Sequence, residues 1–144
     1  MLVLDVIEHI DDDRGFLGRI ASLLRPGGVA VVSVPARPDL FSEYDRIQGH
    51  RRRYLPDSLR AAFVDSGLRV SQLFWWGAWM VPVLRHMRSV NQTYAEYLRL
   101  PRWPLPLAMR LLYALEQPIA MSGKLVTGTS LFAIAECDEA YRVA

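Results

Sequence analysis

The hydrophobic pattern opens on an apolar run. Leu2, Val3 and Leu4 read as a buried strand that exits through Asp5 to His9. From Phe16 the apolar positions change to helical spacing, with Phe16, Leu17, Ile20, Leu23 and Leu24 on one face. Asp11, Asp12 and Asp13 stand just before that helix; one of them can cap it, and their charges complement the positive end of its dipole. Pro26-Gly27-Gly28 makes a tight turn. Val29, Ala30, Val31, Val32, Ser33 and Val34 then form a nearly unbroken β-branched run, the pattern of a strand buried on both faces. Pro35 stops it. A parallel pair with a right-handed helical crossover follows. Ligands of such sheets bind beyond the carboxyl ends of the strands, so the loops after Leu4 and after Pro35 should open on one shared edge.

Further on, Pro56, Leu59 and Phe63 describe a short helix with Gly67 as its stop. Leu68 to Trp76, LRVSQLFWW, reads as a strand. Phe74 to Leu84 is conspicuously apolar, yet well short of the ~20 residues that span a bilayer. Pro104 to Met121 carries Leu107, Leu111, Leu115 and Ile119 at i+4 steps, with Arg110 and Glu116 elsewhere around the helix. Two readings stay open for this half: a core helix with an inserted helical cover, or an apolar, arginine-edged surface that docks on a membrane or a lipid-tailed substrate. The residues between, from Asn91 to Trp103, are mixed, with Tyr94, Tyr97 and Trp103 as aromatics. Thr129 to Cys137, TSLFAIAEC, reads as the last strand. The expected organisation is one domain: an α/β core over residues 1–72, an apolar helical cover over 73–124, and the last strand and tail over 125–144.

Composition adds limits. A chain of 144 residues, 51% hydrophobic, can bury one core, and a net charge of +2 makes no case for nucleic acid. The charge is unevenly spread: Met1 to Asp45 holds eight acidic and four basic residues, Arg46 to Lys124 four acidic and twelve basic. That asymmetry suits either an anionic ligand or membrane surface, or simply a solvated face. The single cysteine, Cys137, excludes a disulfide framework and a multi-cysteine metal site. Met1 to Asp5 lacks a basic signal-peptide region, so a cytoplasmic location is expected, with peripheral membrane contact at most. Met1 also lies inside a strand-like run with no lead-in, which leads us to expect sequence upstream of it. On that view Leu2 to Val6 lies on a sheet edge and favours self-association.

Chemistry concentrates in two segments. Glu8-His9 follows the first strand; it reads either as a capping carboxylate beside a half-buried histidine or as an acid–base pair. Pro35-Ala36-Arg37-Pro38 leaves the sheet and leads to FSEYDRIQGHRRRYLPDSL, with three consecutive arginines between a histidine and a tyrosine. One basic triplet without a stacking platform is poor support for nucleic-acid binding, and none is expected. A solvated loop whose arginines pair with Glu43 or Asp45 is the simpler reading.

LDVIEHIDDDRGFLGRIASLLRPGGVAVVSVPA resembles the second half of class I S-adenosylmethionine-dependent methyltransferases, in the branch of the ubiquinone-type O-methyltransferases. The residues that carry the likeness are Asp5-Val6-Ile7-Glu8-His9 and Leu24-Arg25-Pro26-Gly27-Gly28, followed by Asp45-Arg46, Gly49 to Tyr54 and Gly128-Thr129-Ser130. The resemblance implies a three-layer α/β sandwich, part of a Rossmann-like sheet. It would hold the family's strands four to seven, the last antiparallel, with a helical insertion before it. The implied cofactor is S-adenosylmethionine, contacted by Leu4, Asp5, Val6, Glu8 and His9. The implied lid over the site is the arginine segment, with His50 taking a proton from a hydroxyl and Asp45, Arg52 and Tyr54 touching the substrate. Alternate residues of the lid should face the pocket, leaving Arg51 and Arg53 in solvent. No metal is implied. The family's glycine-rich loop after its first strand has no counterpart here, so activity is expected to need upstream sequence. The opposing expectation is a non-catalytic remnant or binding module that keeps only the sheet. The implied acceptor is a hydroxyl or carboxyl of a small or lipid-linked molecule.

Overall fold

The computed structural model describes residues 1–89 and 104–137. Tyr94, Tyr97, Trp103 and the tail after Cys137 lie outside the described residues. In chain order the elements are β1 (Leu2–Leu4), a 3-10 turn (Ile7–His9), α1 (Asp13–Leu23), β2 (Val29–Pro35), a second 3-10 turn (Pro38–Leu40), α2 (Glu43–Ile47), α3 (Pro56–Phe63), β3 (Leu68–Trp76), α4 (Met80–Ser89), α5 (Leu105–Met121) and β4 (Ser130–Cys137).

Local chemistry explains the boundaries. Asp12 caps α1, its Oδ1 accepting from the Gly15 N–H at 2.9 Å. After α1 the chain reverses through Gly27, whose φ of 71° is open to glycine at no steric cost, and Gly28 donates to the Arg25 carbonyl at 2.7 Å. Pro56 sits in the first turn of α3, where its missing N–H costs nothing.

The four strands form one sheet in the order β1-β2-β4-β3. β1 and β2 are parallel, Leu2 opposite Val31 and Leu4 opposite Ser33. β4 runs antiparallel to both its neighbours, with Ser130 opposite Pro35 on one side and Trp76 on the other. The carboxyl ends of β1, β2 and β3 therefore meet at one edge of the sheet. Among the described residues β1 is a sheet edge, as the sequence suggests.

The core lies on one face. Val3, Ala30, Val32, Val34, Leu131, Ala133 and Ala135 meet Leu17, Ile20 and Ala21 of α1 and Leu59, Ala62 and Phe63 of α3. Each large apolar side chain buried there contributes about 1.5–3 kcal/mol, and the alanines let the helices sit close. Burial of β2 on both faces holds from Val32 to Pro35, four consecutive buried residues, but not at its start. Val29 is exposed and Val31 half-buried, because on the second face the described helical cover is α5, set against β3. Leu23 likewise points to solvent rather than into the core. α5 turns the other way from its leucine row. Leu107, Leu111, Leu115 and Ile119 are exposed, Leu115 to 70%, while Glu116 and Ala120 are buried and Tyr113 stacks on Trp76 at 5.8 Å. The Glu116 carboxylate decides this rotation by accepting the Ala78 N–H at 2.7 Å. Among the described residues no helix is long and apolar enough to cross a membrane.

Candidate active site

The carboxyl edge is built by the chain leaving β1 and β2. Asp5 takes a left-handed φ of 52°, turning the backbone out of β1, and its N–H donates to the Ser33 carbonyl at 3.0 Å. The 3-10 turn that follows buries Ile7 and Glu8 and leaves His9 outside. Beyond β2, Ala36 pairs with Tyr54 in a short parallel bridge; Tyr54 N–H donates to Pro35 O and Arg37 N–H to Tyr54 O, each at 2.9 Å. Arg51 N–H donates to the Glu8 carbonyl at 2.8 Å. The arginine segment is thus stitched across the ends of β1 and β2.

That stitching brings His9 and His50 together, their rings edge to face with centroids 4.8 Å apart. Gly49, at φ 79°, makes the turn between them, and its carbonyl lies 3.1 Å from His9 Nδ1. His50 Nδ1 stands 3.0 Å from Asp45 Oδ1, and His50 N–H donates to the Asp45 carbonyl at 2.8 Å. Only 15% of the His50 side chain is exposed.

Asp45 and Tyr54 do not lie on the accessible surface expected of substrate contacts. Asp45 is fully buried, and Arg53 donates to its Oδ1 through Nε at 2.8 Å. Burial works against its charge, but the Arg53 and His50 contacts outweigh that and hold the carboxyl below the usual range. Tyr54 is buried too, its hydroxyl donating to Asp13 Oδ2 at 2.8 Å; burial and the Asp13 carboxylate push its own titration upward. Alternation along the segment also fails. Arg53, expected in solvent, has 6% of its side chain exposed, against 52% for Arg51, which pairs with Asp11. The reason is that a carboxylate waits on the inside at Asp45. Arg52 is half-exposed, donating to Asp13 Oδ2 at 3.1 Å and to the carbonyls of Ile10 and Asp11. It lines a cleft of about 440 Å³ with Asp13, Arg14, Tyr54 and Ser58.

Of the residues expected at the cofactor, Leu4, Asp5 and His9 are exposed and Val6 half-exposed at the edge, whereas Glu8 is fully buried beneath them. Neither Glu8 carboxyl oxygen has a hydrogen-bond partner, and His9 Nε2 stands 3.9 Å from Oε1. Desolvation, helped by Asp5, pushes the Glu8 carboxyl up to about 7 against the lowering effect of its hydrogen-bonded backbone. Glu8, His9 and His50 offer three donor atoms within 4.8 Å of one another. Two such donors on one tetrahedral ion stand about 3.5 Å apart, so the group as placed is looser than a closed metal centre. Nothing in the sequence marks Asp13 as the partner of Tyr54 and Arg52, because three adjacent aspartates offer no means of choosing among them.

The match to known proteins is decided in the half that carries this edge. A family model described as a methyltransferase domain fits residues 1–73, half of the chain. The chain belongs to this methyltransferase domain family. It is 52% identical over 33 residues to a ubiquinone biosynthesis O-methyltransferase of Bradyrhizobium sp. (strain ORS 278), a segment that is 23% of this chain and 13% of that protein. Its fold is similar to a chain of the Haloferax volcanii complex between the Trm112 methyltransferase activator and a methyltransferase. There the TM-score is 0.52 at 17% identity, covering 96% of this chain and 53% of the other. Phosphoethanolamine N-methyltransferase 2 of Haemonchus contortus in complex with S-adenosyl-L-methionine aligns with a TM-score of 0.53 at 14% identity, over 96% of this chain and 33% of that one. A SAM-dependent methyltransferase from Archaeoglobus fulgidus gives 0.50 at 13% identity, over 94% and 57%. The chain therefore spans about half the length, or less, of the methyltransferases it matches. The architecture is that of a Rossmann-like methyltransferase sheet.

Proposed function

We propose that the chain serves S-adenosylmethionine-dependent methyl transfer to a hydroxyl or carboxyl of a small or lipid-linked molecule, with the carboxyl edge as its site. The observation that carries this is His50, held against a buried carboxylate beside the Glu8-His9 turn of a methyltransferase domain.

The edge suits the cofactor's chemistry. S-adenosylmethionine is cationic at sulfur and at its amino group, and the exposed Asp5 carboxylate between the accessible apolar Leu4 and Val6 offers charge and flat contact together. Leu4, Asp5, Val6 and His9 would hold it from the edge, with Glu8 supporting the turn from below. When bound it supplies a methyl already activated on a sulfonium, so the protein's task is alignment and exclusion of water. His50 would accept the proton of an acceptor hydroxyl at Nε2 as the oxygen takes the methyl. A carboxylate acceptor needs no such base. Arg52, at the mouth of the neighbouring cleft, would favour an acidic acceptor. The exposed leucine row of α5 supports a lipid tail or a membrane surface nearby.

The test is transfer of labelled methyl from S-adenosylmethionine to a panel of hydroxyl and carboxyl compounds, with the chain alone and within a protein of its relatives' length. Transfer that falls about 10²–10⁴-fold in His50→Ala with cofactor affinity unchanged is the expected result. Absence of both binding and transfer in the longer protein would leave a non-catalytic module.

A further inference from the structure

We propose that Asp45 is a positioning residue for the His50 base, holding the imidazole in the form protonated at Nδ1 and bare at Nε2, with Arg53 fixing Asp45 in turn. The proposal rests on the methyl-transfer reading for its consequence, but its geometry stands independently.

Asp45 accepts at both oxygens. Oδ1 accepts from Arg53 Nε at 2.8 Å, forms an ion pair with Arg53 Nη2 at 2.7 Å, and faces His50 Nδ1 at 3.0 Å. Oδ2 receives the Ser42 N–H at 2.8 Å and the Ser42 hydroxyl at 3.1 Å. An ionised carboxylate only accepts, and a neutral imidazole carries one N–H. The N–H must therefore lie on Nδ1, which leaves the Nε2 lone pair as the basic site. Arg53 also donates to the Ala36 carbonyl at 3.0 Å, tying the whole unit to the end of β2. The arrangement is anchored at the backbone as well, since His50 N–H donates to Asp45 O at 2.8 Å. Other ionisable groups face His50 from the turn after β1, namely His9 against its ring and Glu8 within the same cluster. Arg51 lies beyond them, its Nε donating to the His9 carbonyl at 2.9 Å. None of these offers Nδ1 a competing partner.

The experiment is two-bond proton–nitrogen NMR of the chain labelled with ¹⁵N-histidine, which reads the tautomer of each imidazole without any turnover. The chain has three histidines, and His50→Gln assigns the signal. The expected result is His50 protonated at Nδ1 in the unmodified protein, with that preference lost in Asp45→Asn. In the active protein Asp45→Asn should lower kcat on the order of 10²-fold or more with little change in KM. A purely structural carboxylate would leave the tautomer unchanged in the folded Asp45→Asn variant. His50 protonated at Nε2 in the unmodified protein overturns the proposal even if Asp45→Asn fails to fold. An unchanged tautomer in a folded Asp45→Asn overturns it as well. If the tautomer is as expected but no methyl transfer exists, the function reading fails and the Asp45–His50 geometry stands.

Discussion

At the scale of single residues, Glu8 and Arg53 carry the sharpest consequences. The Glu8 carboxyl titrates near 7 in the fold against an ordinary 4.5. The fold thus favours its protonated form, so its contribution to stability is complete below about pH 4.5 and is lost as pH rises through 7. That loss is at most about 3 kcal/mol. Glu8→Gln should flatten this part of the curve and be more stable than the parent at pH 8; urea unfolding of both proteins from pH 4 to 8 checks it, and parallel curves would contradict it. Arg53→Ala strands the buried Asp45 charge and should cost about 3 kcal/mol. Arg51→Ala removes a half-exposed pair and should cost no more than about 1 kcal/mol. Denaturant midpoints of the two variants separate these cases. The two arginines differ by the presence of a carboxylate on the inner side, a fact no alternation rule contains.

At the scale of elements, legibility followed the strength of the local signal. β3 spans Leu68–Trp76, the same bounds its strand-like sequence suggests after Gly67, and Gly27 and Pro35 bracket β2 because their backbone limits act locally. The unbroken apolar run of β2 said nothing about where along the strand its second face would lose cover. α5 was misleading for a related reason. Its leucine row recurs at i+4 steps, yet the helix turns Tyr113, Glu116 and Ala120 inward. One carboxylate bound to a peptide N–H, and a tyrosine against Trp76 and Trp79, set the rotation. The same corner yields a test. A Cβ added at Gly128 would meet the Trp76 backbone, which cannot swing away as a side chain could. Gly128→Ala should therefore destabilise by about 1–3 kcal/mol, read from thermal unfolding; a neutral change would mean the β3–β4 corner is looser than described.

At the scale of the whole molecule, the carboxyl end that helps build the site and an outer edge with no neighbouring strand among the described residues both belong to β1. Leu2 is 70% exposed and Leu4 48%, so β1 offers an apolar edge for pairing with another chain. Leu2→Lys should reduce concentration-dependent association in sedimentation equilibrium, and equal association in both proteins would contradict it. His9, His50 and the Glu8 turn converge because β1 and β2 are parallel and the 50–54 segment crosses their ends, an arrangement implied by the motifs and fixed by the Ala36–Tyr54 bridge, the Arg51 contact to Glu8 and the arginine contacts to the His9, Ile10, Asp11 and Ala36 carbonyls. The decisive measurement is a titration with S-adenosylhomocysteine of the ¹⁵N-labelled chain within a protein of its relatives' length, followed amide by amide, which detects weak binding as well as strong. Shifts confined to residues 4–10 and 35–54 are the predicted result. Shifts centred at the opposite edge of the sheet, or none at millimolar ligand, would contradict the assignment of the carboxyl edge as the methyl-transfer site.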